Sequence, residues 1–212
     1  MAILILAVQY LIKNENKKFV ILIIVATGFH TSCIIFLALY FLTKIDTTPT
    51  RTFIFLGLSI LGGAVIGRVV KILVGMTVYA GYYGSLFDED SFDIFNAAIQ
   101  LAVLLYYAFY LEKAKRSEYG AAFRVYFWMQ VVAVFFIFQS ANIPLAKRLC
   151  WYMTVNQPLA LPIVSKLEES LWVKMLFNVL IIVGFSASIY IGIVKNGAHQ
   201  VLPYNSIFGP LL

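Results

Sequence analysis

A short polar stripe inside an apolar stretch is the first candidate for chemistry. Arg148, Tyr152 and Asn156 recur every four residues between Asn142 and Pro162, a spacing that places them on one face of a helix. Charged and polar side chains at membrane depth normally face a water-filled cavity or a protein partner, so the stripe is a functional-site hypothesis. The alternative is that Arg148 only reaches lipid headgroups from a helix end.

A second candidate lies at the centre of the apolar run from Phe19 to Thr43, where His30 is followed by Thr31 and Ser32. As a single helix this run would be about 37 Å long, enough to cross a bilayer with some tilt. As a hairpin folded between Gly28 and Ser32, it would enter and return with His30 at its apex. Non-helical backbone at that depth is tolerated only where it is buried in protein or lines a wet cavity.

The composition decides the class of protein that must position these residues. The chain has 212 residues, is 62% hydrophobic and only 12% charged, and has a mean hydropathy of +0.89. Water-soluble domains carry about a quarter charged residues, and apolar runs of about 20 residues are typical of membrane spans. The sequence therefore predicts a polytopic membrane protein.

Further apolar segments follow the run that contains His30. They are Thr52 to Val78, Ile94 to Leu111, Phe123 to Ala141, the stretch Asn142 to Pro162, and Leu171 to Val194. We predict an all-α integral membrane helical bundle with about five to six membrane-embedded segments, one of them a re-entrant hairpin around His30. Residues 1–212 are predicted to form a single transmembrane domain. Met1 to Ile12 is about half the length of a span, which suggests that the chain begins inside a helix.

The net charge of +6 is interpreted as a topology signal and not as a nucleic-acid surface, because Lys and Arg collect in cytoplasmic loops of membrane proteins. If Phe19 to Thr43 is a hairpin and Thr52 to Val78 crosses once, most cations lie on one side. If Phe19 to Thr43 crosses once and Thr52 to Gly67 crosses back, the cations divide evenly. The positive-inside rule therefore favours the hairpin and places Arg148 on the outer side with the acidic loop Gly81 to Asp93.

No metal or redox site is predicted. Cys33 and Cys150 have no paired spacing and no neighbouring His, so we interpret them as small core residues. The sequence shows no nucleotide-binding glycine loop, and no cofactor is expected.

Three segments resemble a known family. His30-Thr-Ser-Cys, followed by an apolar run to Tyr40, resembles the "His-x-Ser-Ala … leucine-rich … Tyr" segment of the EpsG family of Wzy-type bacterial exopolysaccharide polymerases. Arg148-Leu-Cys-Trp-Tyr152 with Leu161-Pro162 resembles that family's "Arg-x-x-x-Tyr … Leu-Pro" segment, and Pro203-Tyr204 resembles its closing motif. Cys33 replaces the usual Ala, and Met153 replaces the usual Phe. Family members are longer at the N-terminus, so the chain resembles the C-terminal part of such a protein.

The resemblance implies a function in exopolysaccharide, capsule or O-antigen biosynthesis. It implies glycosyl transfer between oligosaccharide repeat units linked to undecaprenyl diphosphate, at the outer face of the bacterial inner membrane. The expected partners are the lipid bilayer, that lipid-linked oligosaccharide, and the chain-length regulator and flippase of the same pathway. A lipid-linked donor would make a nucleotide-sugar site unnecessary.

This chemistry assigns roles to the polar residues. The diphosphate leaving group needs fixed cations. A guanidinium stays charged and offers a planar fork to phosphate oxygens. Arg148 is therefore the first candidate, and Lys147 or Arg68 would assist it. The acceptor hydroxyl needs a general base, for which His30 and the acidic residues Asp88, Glu89 and Asp90 are candidates. A packing role for His30 is the alternative. Further candidates for substrate binding are polar or aromatic: Tyr152, Asn156, Tyr204, Tyr82 and Tyr83, although aromatic residues near an interface often serve only as anchors.

Two other functions remain open at this stage. A transporter or flippase fragment would line a solute path with Arg68, Lys71, Arg148 and Glu169. A non-catalytic membrane subunit would instead assemble with other helices through its glycine-rich face.

Overall fold

The computed structural model describes residues 1–45, 47–76, 81, 92–143 and 146–191, together with 205–206 and 209–210. Nine α-helices occur in these ranges: α1 (Ala2–Ile12), α2 (Asn16–Phe29), α3 (Leu37–Leu42), α4 (Pro49–Gly75), α5 (Ile94–Lys115), α6 (Gly120–Phe138), α7 (Ala146–Thr154), α8 (Gln157–Leu167) and α9 (Leu171–Ile189). A 3₁₀ helix, Thr31–Phe36, joins His30 to α3, and the two-residue strands β1 (Asn205–Ser206) and β2 (Gly209–Pro210) pair antiparallel.

The predicted membrane-embedded helical bundle is confirmed. Within the described ranges α5, α6 and α9 are each long and apolar enough to cross a membrane. The structure divides into two compact units, Met1–Leu167 and Glu168–Leu212. In the second unit α9 buries none of its side chains, and a largely apolar helix of this length suits contact with lipid.

The antiparallel pair α5 and α6 forms the centre of the first unit. Asp93 caps α5 by accepting a hydrogen bond from the Asn96 backbone N–H at 3.0 Å, and the helix ends with Lys113 and Lys115 in its last turn, where cations favour the helix dipole. A turn of four residues leads into α6, which buries most of its length. The joined ends of α5 and α6 are called the basic end below.

Two contacts and one break in the helix agree with the predicted hairpin around His30. Gln9 in α1 lies beside the Tyr126 side chain near the start of α6, so α2 begins near the basic end. Lys115 donates to the backbone carbonyl of Thr47, so the chain is back at that end just after α3. Between these points α2 stops at Phe29, and His30 adopts an extended conformation with φ −152° and ψ 110°. At 14 residues, α2 is only about 21 Å long, too short for a full crossing.

Helix α4 runs alongside α6, as the hairpin topology requires. Phe55 packs edge-on against Trp128 with ring centroids 6.2 Å apart, and further along both helices Gln139 donates to the carbonyl of Ile60 at 2.9 Å. Glycines permit this close approach: a Cβ on Gly67 would lie 2.6 Å from the backbone oxygen of Asn142. The end of α4 therefore lies beside the end of α6 that is opposite the basic end.

We expect Gly67→Ala to destabilise the protein by about 1–3 kcal/mol, because the added methyl overlaps backbone that cannot rotate away. Thermal unfolding of the purified protein in detergent measures this as a lower melting temperature. Gly57→Ala on the same helix is the matched control, since a Cβ there meets nothing within 4 Å and alanine is the better helix former by up to about 1 kcal/mol. Equal melting temperatures for the two variants would contradict the close α4–α6 approach.

The stretch from Asn142 to Pro162 is not one helix, which corrects the continuous stripe expected from its spacing. Helix α7 ends at Thr154 and α8 begins at Gln157, so Asn156 lies in the turn between them. Helix α8 then runs to the basic end, where the Lys166 ammonium lies 5.6 Å from the ring centroid of Tyr119. Together α7 and α8 lead from the end opposite the basic end back to the basic end, with a break between them. Pro158 suits such a break, because proline is favoured in the first turn of a helix.

Candidate functional site

His30 lies where the backbone leaves helical geometry, and both of its ring nitrogens have hydroxyl partners. The Ser32 Oγ lies 2.6 Å from Nδ1, and the Tyr152 hydroxyl lies 3.4 Å from Nε2. A neutral imidazole donates from one nitrogen and accepts at the other, and hydroxyls can serve either nitrogen. His30 therefore lies between two hydroxyl groups, with a short hydrogen bond to Ser32 and a longer contact to Tyr152.

Tyr152 brings α7 to the hairpin apex. Its ring meets the imidazole of His30 edge-on, with centroids 5.8 Å apart and planes at 81°, although the two residues are 122 positions apart in the sequence. The pairing of His30 with Tyr152 joins two of the sequence candidates in space. Tyr152 lies about 9 Å along α7 from the first residue of that helix. That first residue is at the end of the bundle opposite the basic end.

The cations Lys147 and Arg148 occupy the first turn of α7, and both side chains are half-buried. Arg148 is four residues before Tyr152, so both lie on the same face of α7, one turn apart. The sequence candidates Arg148, Tyr152 and His30 thus share one region. The Arg148 guanidinium, one helical turn from the Tyr152 hydroxyl that contacts His30, can bind an anion close to an imidazole that accepts a proton.

Arg68 lies on α4 directly after Gly67, whose backbone approaches Asn142, so it is at the same end of the bundle as α7. Its side chain is exposed. Other candidates lie outside the described residues: Tyr82, Tyr83, Asp88, Glu89, Asp90 and Tyr204. The side chain of Lys71 is also not described.

Asn156 does not lie in the same environment as Arg148 and Tyr152. It is fully buried and joins a set of amides that sequence reasoning missed. Gln100 in α5, Gln130 in α6 and Gln157 in α8 surround it, and each of them is at least 95% buried. The available signal was a glutamine or asparagine within each of several apolar segments, since such residues hydrogen-bond between helices in membrane proteins.

Cys33 and Cys150 are buried free thiols, in agreement with the interpretation as small core residues. Among the residues that the structure describes, no three His, Cys, Asp or Glu side chains are grouped to hold a metal ion.

Comparison with known proteins adds one finding. The model of the EpsG family matches residues 1–206, a range that contains His30, Arg148, Tyr152 and Tyr204. No curated protein and no solved structure matches the chain. Because the family match covers nearly all of its length, this membrane protein belongs to the EpsG family.

Proposed function

We propose that this protein polymerises oligosaccharide repeat units linked to undecaprenyl diphosphate, at the outer face of the bacterial inner membrane. Membership of the EpsG family supports a polysaccharide polymerase-like role. The main support for the proposed glycosyl transfer is the contact between His30 and Tyr152. This contact lies one helical turn from Arg148. A proton acceptor and a fixed cation are the two groups that this transfer requires.

The reaction exchanges one bond for another. The anomeric carbon of the donor sugar loses its bond to the diphosphate oxygen and gains a bond to an acceptor hydroxyl oxygen. The hydroxyl proton passes to a base, and the lipid diphosphate leaves with the bonding electron pair. Negative charge therefore grows on the leaving group while a proton is released a few ångströms away, and a preorganised site stabilises both changes.

Arg148 is the proposed partner of the leaving diphosphate. Its guanidinium remains charged in any surroundings and can form two parallel hydrogen bonds to phosphate oxygens. Half-burial strengthens this interaction relative to one in bulk water. Lys147 beside it, and Arg68 at the same end of the bundle, supply additional positive charge for a dianionic group.

His30 is the proposed general base. In the tautomer whose Nδ1 donates to Ser32 Oγ, the lone pair of Nε2 points to the side where Tyr152 lies. An acceptor hydroxyl that replaces the long 3.4 Å contact from Tyr152 would then transfer its proton to Nε2. Ser32 holds the ring, and Tyr152 contacts either the acceptor or its sugar ring.

The proposal extends to residues that the structure does not describe. Tyr82, Tyr83 and Tyr204 are proposed to contact sugar rings, and the acidic residues Asp88, Glu89 and Asp90 are the alternative source of a base. The basic end would face the cytoplasm by the positive-inside rule, which leaves α7 and His30 on the outer side. Flippase and chain-length regulator are the proposed partners in the same membrane.

One observation favours a second candidate function. The hairpin at His30 and the break between α7 and α8 are discontinuous helices that meet in the bundle, and discontinuous helices form solute sites in transporters. The protein would then move the lipid-linked oligosaccharide or another solute across the bilayer without forming a glycosidic bond.

A reconstituted assay separates the two functions. The purified full chain in lipid vesicles receives lipid-linked repeat units extracted from the producing cells, and the products are resolved by length. Polymerisation predicts a ladder of longer chains with one lipid diphosphate released for each bond formed. Transport predicts donor that crosses the vesicle membrane and stays at its original length. Unchanged donor length with correctly folded protein would overturn the proposed polymerase.

A further inference from the structure

The break between α7 and α8 is surrounded by a network of buried side-chain amides. Asn156 in the turn is 0% exposed, as is Gln130 in α6, while Gln100 in α5 and Gln157 at the start of α8 are 5% and 4% exposed. Tyr107 in α5 is also fully buried. Five polar side chains from three helices and one turn therefore meet in an otherwise apolar core.

Every polar hydrogen of the Asn156 side chain is used within this network. Its Nδ2 donates to the carbonyl of Met153 at 2.7 Å and to Gln130 Oε1 at 3.1 Å. Its Oδ1 accepts the Tyr107 hydroxyl proton at 3.0 Å. An amide has two donor hydrogens, so Asn156 has no remaining donor for a substrate.

The glutamines complete the network. Gln157 Nε2 donates to Gln100 Oε1 at 2.6 Å and to Gln130 Oε1 at 3.0 Å. Gln130 Nε2 donates to the backbone oxygen of Gln100 at 2.9 Å and to its Oε1 at 3.1 Å. Satisfied polar networks in a dry core favour one arrangement of the helices, because any shift leaves buried groups unpaired at high cost.

The network connects directly to the candidate site. Asn156 donates to the carbonyl of Met153, in the last turn of α7, from both its backbone N–H at 3.3 Å and its side-chain Nδ2 at 2.7 Å. Met153 is adjacent to Tyr152, whose hydroxyl contacts His30. The end of α7 that carries Tyr152 is therefore tied to α5 through Tyr107 and to α6 through Gln130.

We propose that Asn156 and Tyr107 are positioning residues that set the rotation and depth of α7, and so the distance between the Tyr152 hydroxyl and His30. The proposal rests on the polymerase function for its kinetic consequence. It assigns Asn156 a role behind the site instead of contact with substrate. Loss of either residue should slow the chemical step and leave donor binding nearly unchanged.

Tyr107→Phe is the sharpest test, because it removes one hydroxyl from the side of the network away from Tyr152. We expect kcat for polymerisation of the extracted lipid-linked repeat unit to fall about 10- to 100-fold, since small misplacements of reacting groups have effects of this size. The KM for the donor should change less than about twofold, because only transition-state alignment is lost. Tyr107→Phe and Asn156→Asp combined should be no worse than the more severe single variant.

Tyr126→Phe is the matched control. Tyr126 is 4% exposed in the same bundle, and its hydroxyl lies beside Gln9 of α1 instead of the network. This variant loses a comparable buried hydroxyl and should keep the wild-type kcat. If both variants lower kcat equally, or if Asn156→Asp mainly raises KM, the positioning role is overturned.

Hydrogen–deuterium exchange of the purified full chain in detergent tests the physical part without catalysis. Amides of α7 should exchange faster in Tyr107→Phe than in the wild type, with no such change in Tyr126→Phe. Unchanged exchange in α7 would refute the positioning role. Faster exchange in α7, together with a wild-type protein that extends no donor, would support the positioning of α7 and refute the polymerase function.

Discussion

Replacing Arg148 with alanine is expected to reduce polymer synthesis by about 100- to 1,000-fold, the usual effect of losing a preorganised group that stabilises developing charge. The half-buried guanidinium lies one turn from Tyr152 on α7, where the leaving diphosphate would meet it. Polymer per cell, normalised to the amount of protein in the membrane, is the measurement. Arg148→Lys keeps the charge but loses the planar fork, so intermediate activity is expected.

Two controls accompany the Arg148 variants. Arg124→Ala removes an exposed arginine from α6 near the basic end, and it should change polymer yield less than about twofold because the expected diphosphate site is at the opposite end. The Arg148→Lys variant retains a cation, so it guards against a loss of activity that merely reflects poor insertion. Wild-type polymer length from a normally inserted Arg148→Ala protein would remove the leaving-group role.

The second large effect is expected at His30. His30→Ala should lower polymerisation about 100- to 10,000-fold, the range for removal of a general base. His30→Gln should be similarly inactive, because glutamine can hydrogen-bond Ser32 and Tyr152 but cannot accept the hydroxyl proton. The initial rate of donor consumption in reconstituted vesicles measures both variants. A normal rate in either variant would show that His30 is not the general base. The acidic residues Asp88, Glu89 and Asp90 would then be the remaining candidates.

Two substitutions of Ser32, to Thr and to Val, test whether the orientation of the His30 imidazole matters for activity. Thr and Val have nearly the same shape, but only Thr keeps a hydroxyl for Nδ1, which lies 2.6 Å from Ser32 Oγ. Ser32→Thr should retain most activity, whereas Ser32→Val should lose about tenfold, as expected when a group that orients a functional histidine is removed. Equal activity of the two variants would show that the hydrogen bond to Nδ1 has no part in the reaction.

Several helices could be located from composition and spacing, because segments that cross a bilayer must be apolar over most of their length. The predicted spans beginning at Ile94 and Leu171 begin where α5 and α9 begin, and the break near His30 follows from polar residues in the middle of an apolar run. Counting cations favoured the hairpin, and the positions of Gln9 and Thr47 near the basic end agree with it. These features depend on local hydropathy and charge, which each segment carries by itself.

The break between α7 and α8 was not found, although its signals were present. Asn156, Gln157 and Pro158 stand together in an apolar stretch, and proline often follows a helix boundary. The four-residue spacing of Arg148, Tyr152 and Asn156 favoured a continuous helix instead. Buried hydrogen bonds from Gln130 and Tyr107 stabilise the break, and they come from residues 26 and 49 positions away.

By itself the sequence determined that this is a helical membrane protein with cations concentrated at one end and an imidazole at a broken apolar run. It also named Arg148, Tyr152 and His30 as the residues to examine. Only the tertiary structure decided that Tyr152 meets His30 and that Asn156 turns away into a network of amides. The physical reason is that hydropathy and charge act on each segment locally, whereas the partner of a buried polar group depends on which helices pack together.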